Sequence, residues 1–251
     1  MVSKTWKQAA DEWRKQFNEI TLVNCNPIND DVLHLVAKSC SGLHTLDLGT
    51  CGVNEMGIAT RRSVNYTAAA SEAVAKGCLQ LRNLNFAASC RIASDESMDE
   101  KVLPFVQYCP HWFVLDVRHC CTGDNVLQGL ANHCPDLQHL HLSGTDITND
   151  GLLVVAENCL KLKILCIAQT NCTALALKAG FPELRHLDVC TCEMKPAEVF
   201  TAVIGGCPKL EQLVGDSERI YPHDIDMLIL LRQRMPWLEI DMIWLRQRMP
   251  L

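Results

Sequence analysis

One short phrase governs what this chain can fold into, because it recurs at nearly fixed spacing along the sequence. It reads CSGLHTLDLGTC from Cys40, CLQLRNLNFAASC from Cys78, CPHWFVLDVRHC from Cys109 and CPDLQHLHLSGT from Cys134. It returns as CLKLKILCIAQT from Cys159, FPELRHLDVCTC from Phe181 and CPKLEQLVGDSE from Cys207. A degenerate copy, FNEITLVNC, begins at Phe17, and a partial one, MPWLEID, begins at Met235. The lead residues are Leu43, Leu81, Trp112, Leu137, Leu162, Leu184, Leu210 and Leu238, separated by 38, 31, 25, 25, 22, 26 and 28 residues. A unit this short cannot bury an apolar face by itself, so neighbouring copies must stack into a shared core.

The residue types inside one unit say how it stacks. In LQHLHL, Leu140 and Leu142 alternate with polar residues, as in a short strand with one buried face. In TNDGLLVVAENC, the residues Leu152, Val155, Ala156 and Cys159 recur at helical spacing, with Asn149 or Asp150 placed to cap the start. The proline of CP cannot continue that helix and turns the chain into the next strand. Most spacings fall in the range of leucine-rich repeats. The expected fold is therefore α/β: one curved leucine-rich-repeat solenoid with about seven or eight parallel inner strands and helices outside. Residues 1–17 are expected to form a capping helix and residues 18–251 the repeats. Trp6, Ala10, Trp13 and Phe17 give the first segment a single apolar stripe.

Fifteen cysteines in 251 residues would suit a disulfide scaffold, but their number is odd and most belong to the phrase. Cys40, Cys78, Cys109, Cys134, Cys159 and Cys207 fall where helices should end, and Cys25, Cys51, Cys120 and Cys192 close the strand phrase. One cysteine per unit makes a ladder, whereas zinc needs four ligands converging on one point. The pairs Cys190/Cys192 and Cys120/Cys121 also lack zinc-finger spacing. Small thiols that pack well suit these places, and free thiols suit a reducing, cytoplasmic compartment. The opening, MVSKTWKQAADEW, has no apolar core segment of a signal peptide. On this reading the sequons at Asn65 and Asn171 are accidental. A net charge of −6 argues against a nucleic-acid or anionic-membrane partner. No apolar run approaches the length of a membrane span.

The phrase C-x-x-L-x-x-L-x-L-x-x-C, with segments such as ITNDGL (147–152) and INDDVL (28–33), resembles the cysteine-containing repeats of the F-box/leucine-rich-repeat family. The likeness runs from Phe17 onward. The opening VSKTWKQAADEW, followed by Ile20–Leu22, is similar to the closing part of an F-box, where the family carries a Cys/Ser-Lys-x-Trp segment. The earlier F-box segments, which would dock a ubiquitin-ligase adaptor, have no counterpart before Met1. The resemblance implies a protein-binding role without chemistry of its own. Small members lacking a complete F-box include a subunit of the nexin–dynein regulatory complex of ciliary axonemes, and a scaffold of that kind, cytoplasmic or cytoskeletal, is the expectation. The alternative it implies is the substrate receptor of a cullin–RING ubiquitin ligase.

A functional surface should lie on the strand residues between the leucines. The central column reads Thr21, Asp47, Asn85, Asp116, His141, Cys166, Asp188 and Val214. Its neighbour reads Glu19, Thr45, Asn83, Val114, His139, Ile164, His186 and Gln212. From these, Asp47, Asn85, Asp116, Arg118, His139, His141, His186 and Asp188 are the expected protein-binding residues, their side chains pointing away from the core. Cys166 beside His141 pairs a nucleophile with a base, but an open wall provides no oxyanion pocket. Neither enzymatic activity, a cofactor, a metal nor a small-molecule substrate is expected. Two insertions, over 57–78 and 91–101, are further contact candidates. The phrase LRQRMP occurs at Leu231 and again at Leu245, an offset too short for another repeat.

Overall fold

Each copy of the phrase becomes one short parallel strand, and the segment after every copy but the last holds one helix. The structure, a computed structural model, describes residues 17–22, 28–49, 66–87, 97–192, 194–216 and 222–242. The expected cap (except Phe17), residues 57–65 and 91–96 of the two insertions, Cys25, Cys51 and the second LRQRMP lie outside the described residues.

The chain forms two compact units, Met1–Cys121 and Thr122–Leu251. In the first, the order is β1 (Glu19–Thr21), α1 (Asp30–Ser39), β2 (Thr45–Asp47), α2 (Ala68–Gly77), β3 (Asn83–Asn85), α3 (Asp99–Tyr108) and β4 (Val114–Asp116). Its strands pair parallel in chain order, with Thr21, Asp47, Asn85 and Asp116 in register. The second unit holds α4 (Asp124–His133), β5 (His139–His141), α5 (Asn149–Asn158), β6 (Ile164–Cys166), α6 (Ala174–Lys178) and β7 (His186–Asp188). It continues with α7 (Pro196–Gly206), β8 (Gln212–Gly215), α8 (Pro222–Arg234) and β9 (Glu239–Met242). Here His141, Cys166, Asp188, Val214 and Asp241 fall in register. The described residues thus hold nine strands and eight helices in a leucine-rich-repeat-like arrangement, more strands than the seven or eight expected. The degenerate copies at both ends also form paired strands. The shortest helix, α6, lies in the shortest repeat, the one between Leu162 and Leu184.

Each strand from β2 to β8 places one leucine inward. Leu46, Leu84 and Leu115 are buried in the first unit, and Leu140, Leu165, Leu187 and Leu213 in the second. Trp112 takes a lead-leucine position and is fully buried; its indole N–H donates to Phe105 O at 3.1 Å, which removes the penalty of an unpaired donor. The last repeat departs from its sequence phrase. Counting from Leu238, Asp241 would occupy the buried place that Leu213 holds. The pairing slips by one residue instead, so Ile240 meets Leu213 and Asp241 meets Val214. A one-residue slip exchanges the two faces of a strand, and burying an unpaired carboxylate is the costlier choice.

The helix starts are linked from one repeat to the next. Thr67, Thr148 and Thr173 each cap a helix through their own side chains. The expected cap at Asn149 or Asp150 is therefore displaced to Thr148, whose hydroxyl accepts from Asp150 N–H. Each capping threonine is held in turn by the first residue of the preceding helix. Thr67 donates its N–H and hydroxyl to Asp30 at 2.7 and 2.9 Å, and Thr148 does the same to Asp124 at 2.8 and 2.6 Å. Asn149 both accepts from Thr173 N–H and donates to Thr173 Oγ1. Gly151 makes room for this link, since a Cβ there would lie 2.3 Å from Asp124 Oδ1.

The helix ends explain six of the cysteines. Cys40, Cys78, Cys109, Cys134, Cys159 and Cys207 are the C-cap residues of their helices, and all are buried. The Cys78 thiol donates to Cys40 O at 3.2 Å, Cys109 to Cys78 O at 3.8 Å, and Cys159 to Cys134 O at 3.8 Å. Cys120 and Cys192 make the same kind of bond across repeats, to Phe86 O at 3.1 Å and Ile167 O at 2.9 Å. A residue here must be small, apolar and able to donate weakly, and cysteine meets all three demands.

Candidate functional site

The strand residues expected to face outward form two in-register columns in each unit, but the columns do different work. In the central one, Asp47 Oδ1 accepts from Gly49 N–H at 2.9 Å and Asn85 Oδ1 from Ala87 N–H at 2.8 Å. Asp116 accepts from Arg118 N–H at 3.1 Å, and Asp188 from Cys190 N–H at 3.0 Å. These are Asx turns: a short polar side chain bends its own backbone two residues on. The following corner carries left-handed residues at one repeat position, His119, Gly144, Gln169 and Thr191, with φ between 53° and 69°.

Asp116 is therefore less available than its column position implies. It is 7% exposed, and Arg118 clamps it through Nε at 3.0 Å and Nη2 at 2.6 Å. Arg118, itself exposed, is thus spent on a neighbour within its own repeat. The sequence pattern placed Asp116 and Asp188 on the outward face but gave no sign of their backbone bonds.

The neighbouring column of the second unit, His139, Ile164, His186 and Gln212, makes no such turn. His186 Nδ1 lies 2.8 Å from Gln212 Oε1, joining adjacent strands. His139 is half-buried, and burial, with Lys163 adding a like charge, holds its pKa below the ordinary histidine value. Lys163 belongs to this surface although it lies one residue before the strand, outside the alternation that defined the columns. His141 is half-buried beside Cys166, which is 8% exposed. Exposed ion pairs between successive repeats flank the columns: Lys161 with Asp136 at 2.5 Å, Arg185 with Glu211 at 2.6 Å and Lys209 with Glu183 at 2.5 Å.

Burial makes several of the helix-end thiols harder to ionise. Burial pushes Cys78 and Cys109 up to about 12, each helped by the thiol of the preceding repeat. Burial raises Cys159 and Cys207 to about 11. The twelve described cysteines are free thiols. Among the described residues, no group of three or more His, Cys, Asp or Glu side chains is placed to hold a metal ion. None of the described helices is long and apolar enough to cross a membrane. No protein-family model matches the chain.

Proposed function

We propose that this protein is a non-catalytic scaffold, a subunit of a larger assembly that holds other proteins on its strand face. The observation that supports this reading is the neighbouring column of the second unit, which makes no Asx turns. It offers one side chain per repeat in fixed register, with imidazole, aliphatic and amide groups side by side. Such a surface suits an extended protein partner, whose contacts also recur along its length. By the likeness of its repeats and opening to F-box/leucine-rich-repeat proteins, the assembly is the nexin–dynein regulatory complex of the ciliary axoneme. The receptor subunit of a cullin–RING ubiquitin ligase is the second reading, favoured only by the VSKTW segment.

The test is affinity purification of the full chain from ciliated cells, with stoichiometric partners identified by mass spectrometry. A paired change, His186→Glu with Gln212→Lys, alters the chemistry of the column while keeping two groups able to bond. Axonemal partners should be captured by the unchanged chain and lost with the pair, at an unchanged melting temperature. Stoichiometric ligase adaptor and cullin would refute the scaffold assignment.

A further inference from the structure

At the strand edge of the second unit, one cation is set apart from its neighbours. Lys161, Arg185 and Lys209 are exposed, and each has a carboxylate at 2.5 or 2.6 Å, on Asp136, Glu211 and Glu183. Lys163 is half-buried, and among the described residues no carboxylate lies within ion-pair distance of it. Its backbone is fixed from both sides. The N–H donates to Gln138 O at 2.7 Å, and the carbonyl accepts from Arg185 and His186 N–H at 2.8 and 2.9 Å. Losing water costs an ammonium more the deeper it lies, so the pairing is missing where it would matter most. The charge is felt on the strand face: it helps to hold the half-buried His139 below the ordinary histidine value.

The carboxylates nearby are committed elsewhere. Asp188 accepts from Cys190 N–H and Asp216 from Thr191 N–H, while Glu211 and Glu183 are held by Arg185 and Lys209. Glu239 ends the same column three strands from β6, about 14 Å away at the usual strand spacing. That exceeds the roughly 8 Å over which exposed charges act in physiological salt. We infer that, within the scaffold reading proposed above, β5–β7 dock an extended acidic segment of a partner protein, with a side-chain carboxylate seated against Lys163 beside His139. The carboxylate supplies the missing counter-charge. Ile164, next in the chain and in register with His139 and His186, gives the flanking part of the segment an apolar floor. A basic segment would set two like charges together at the same place, so the sign of the partner is fixed.

The experiment is a fluorescence-anisotropy titration of the full chain with two labelled peptides, one alternating Glu and Ser, the other alternating Gln and Ser. The Glu peptide should bind more tightly. Lys163→Met should weaken it about fivefold, the upper scale of one partly exposed ion pair, and Lys163→Arg should keep it. Removing the same charge from α6, in Lys178→Met, should leave binding unchanged. Lys163→Met should also melt no lower than the unchanged chain, since it loses no internal partner. Equal binding of the two peptides would overturn the inference, as would an equal effect of both Met variants, because the attraction would then be absent or diffuse. A lowered melting temperature would overturn it too, by revealing a partner within the chain. The scaffold reading is judged separately, by the affinity purification described above, and falls if no stoichiometric partner is captured. Partners retained in full by Lys163→Met would overturn the acidic docking alone.

Discussion

Thr191 sits at φ +53°, a left-handed setting that a β-branched residue adopts at a cost of about 1–2 kcal/mol. Its N–H donates to Asp216 Oδ1, a bond that glycine would keep. His119, Gly144 and Gln169 hold the same corner, so the repeat geometry imposes it rather than the residue. Thr191→Gly should therefore stabilise the protein by about 0.5–1 kcal/mol in urea unfolding, once the greater freedom of glycine in the unfolded chain is subtracted. A destabilised variant would show that the hydroxyl contact to Cys190 O matters more than the strain. The cysteines make a second residue-scale prediction. Thiols raised to about 12 at Cys78 and Cys109 remain protonated at pH 8, and protonated thiols are poor nucleophiles. Iodoacetamide at pH 8 should leave both unlabelled in the native protein and label both in denaturant; labelling of native Cys78 would contradict the packing described for it.

At the scale of the element, the helix starts are cooperative across repeats. Asp124 holds the cap of a helix other than its own, so Asp124→Ala removes two bonds from Thr148 and loosens the first turn of α5. The expected loss is about 1–2 kcal/mol by chemical denaturation, the range of a lost cap. Hydrogen exchange should quicken at the start of α5 and not at its end; equal change throughout the helix would contradict the link. Strands and helices were legible in the sequence because their apolar periodicities differ, and the ladder of cysteines at the helix ends was legible by its spacing. The capping residue of α5 was not. Thr148, Asn149 and Asp150 are all good cap formers, and the choice among them depends on an acceptor 24 residues earlier. The register of β9 was hidden for a related reason. The phrase beginning at Met235 keeps its lead leucine, and the cost of burying Asp241 is felt only when the strand meets β8.

At the scale of the whole molecule, stability is carried by columns. Leu140, Leu165, Leu187 and Leu213 lie in register on adjacent strands and are fully buried. Leu140→Ala should cost about 2–5 kcal/mol in equilibrium unfolding. Because each repeat leans on its neighbours, the lost protection in hydrogen exchange should spread from β5 to β6. A loss below about 1 kcal/mol would mean that the column is not a shared core. The outward columns were legible as positions because period-two alternation fixes which side chains leave the core. Their chemistry was not, since a carboxylate that bends its own backbone occupies the same place in the pattern as one offered to a partner. A chain built this way divides its outer surface between grammar and vocabulary. At Asp47, Asn85, Asp116 and Asp188 the spelling serves the chain itself, since each of these side chains ties its own corner. What tells one such protein from another is written in the adjacent column, at one character per repeat.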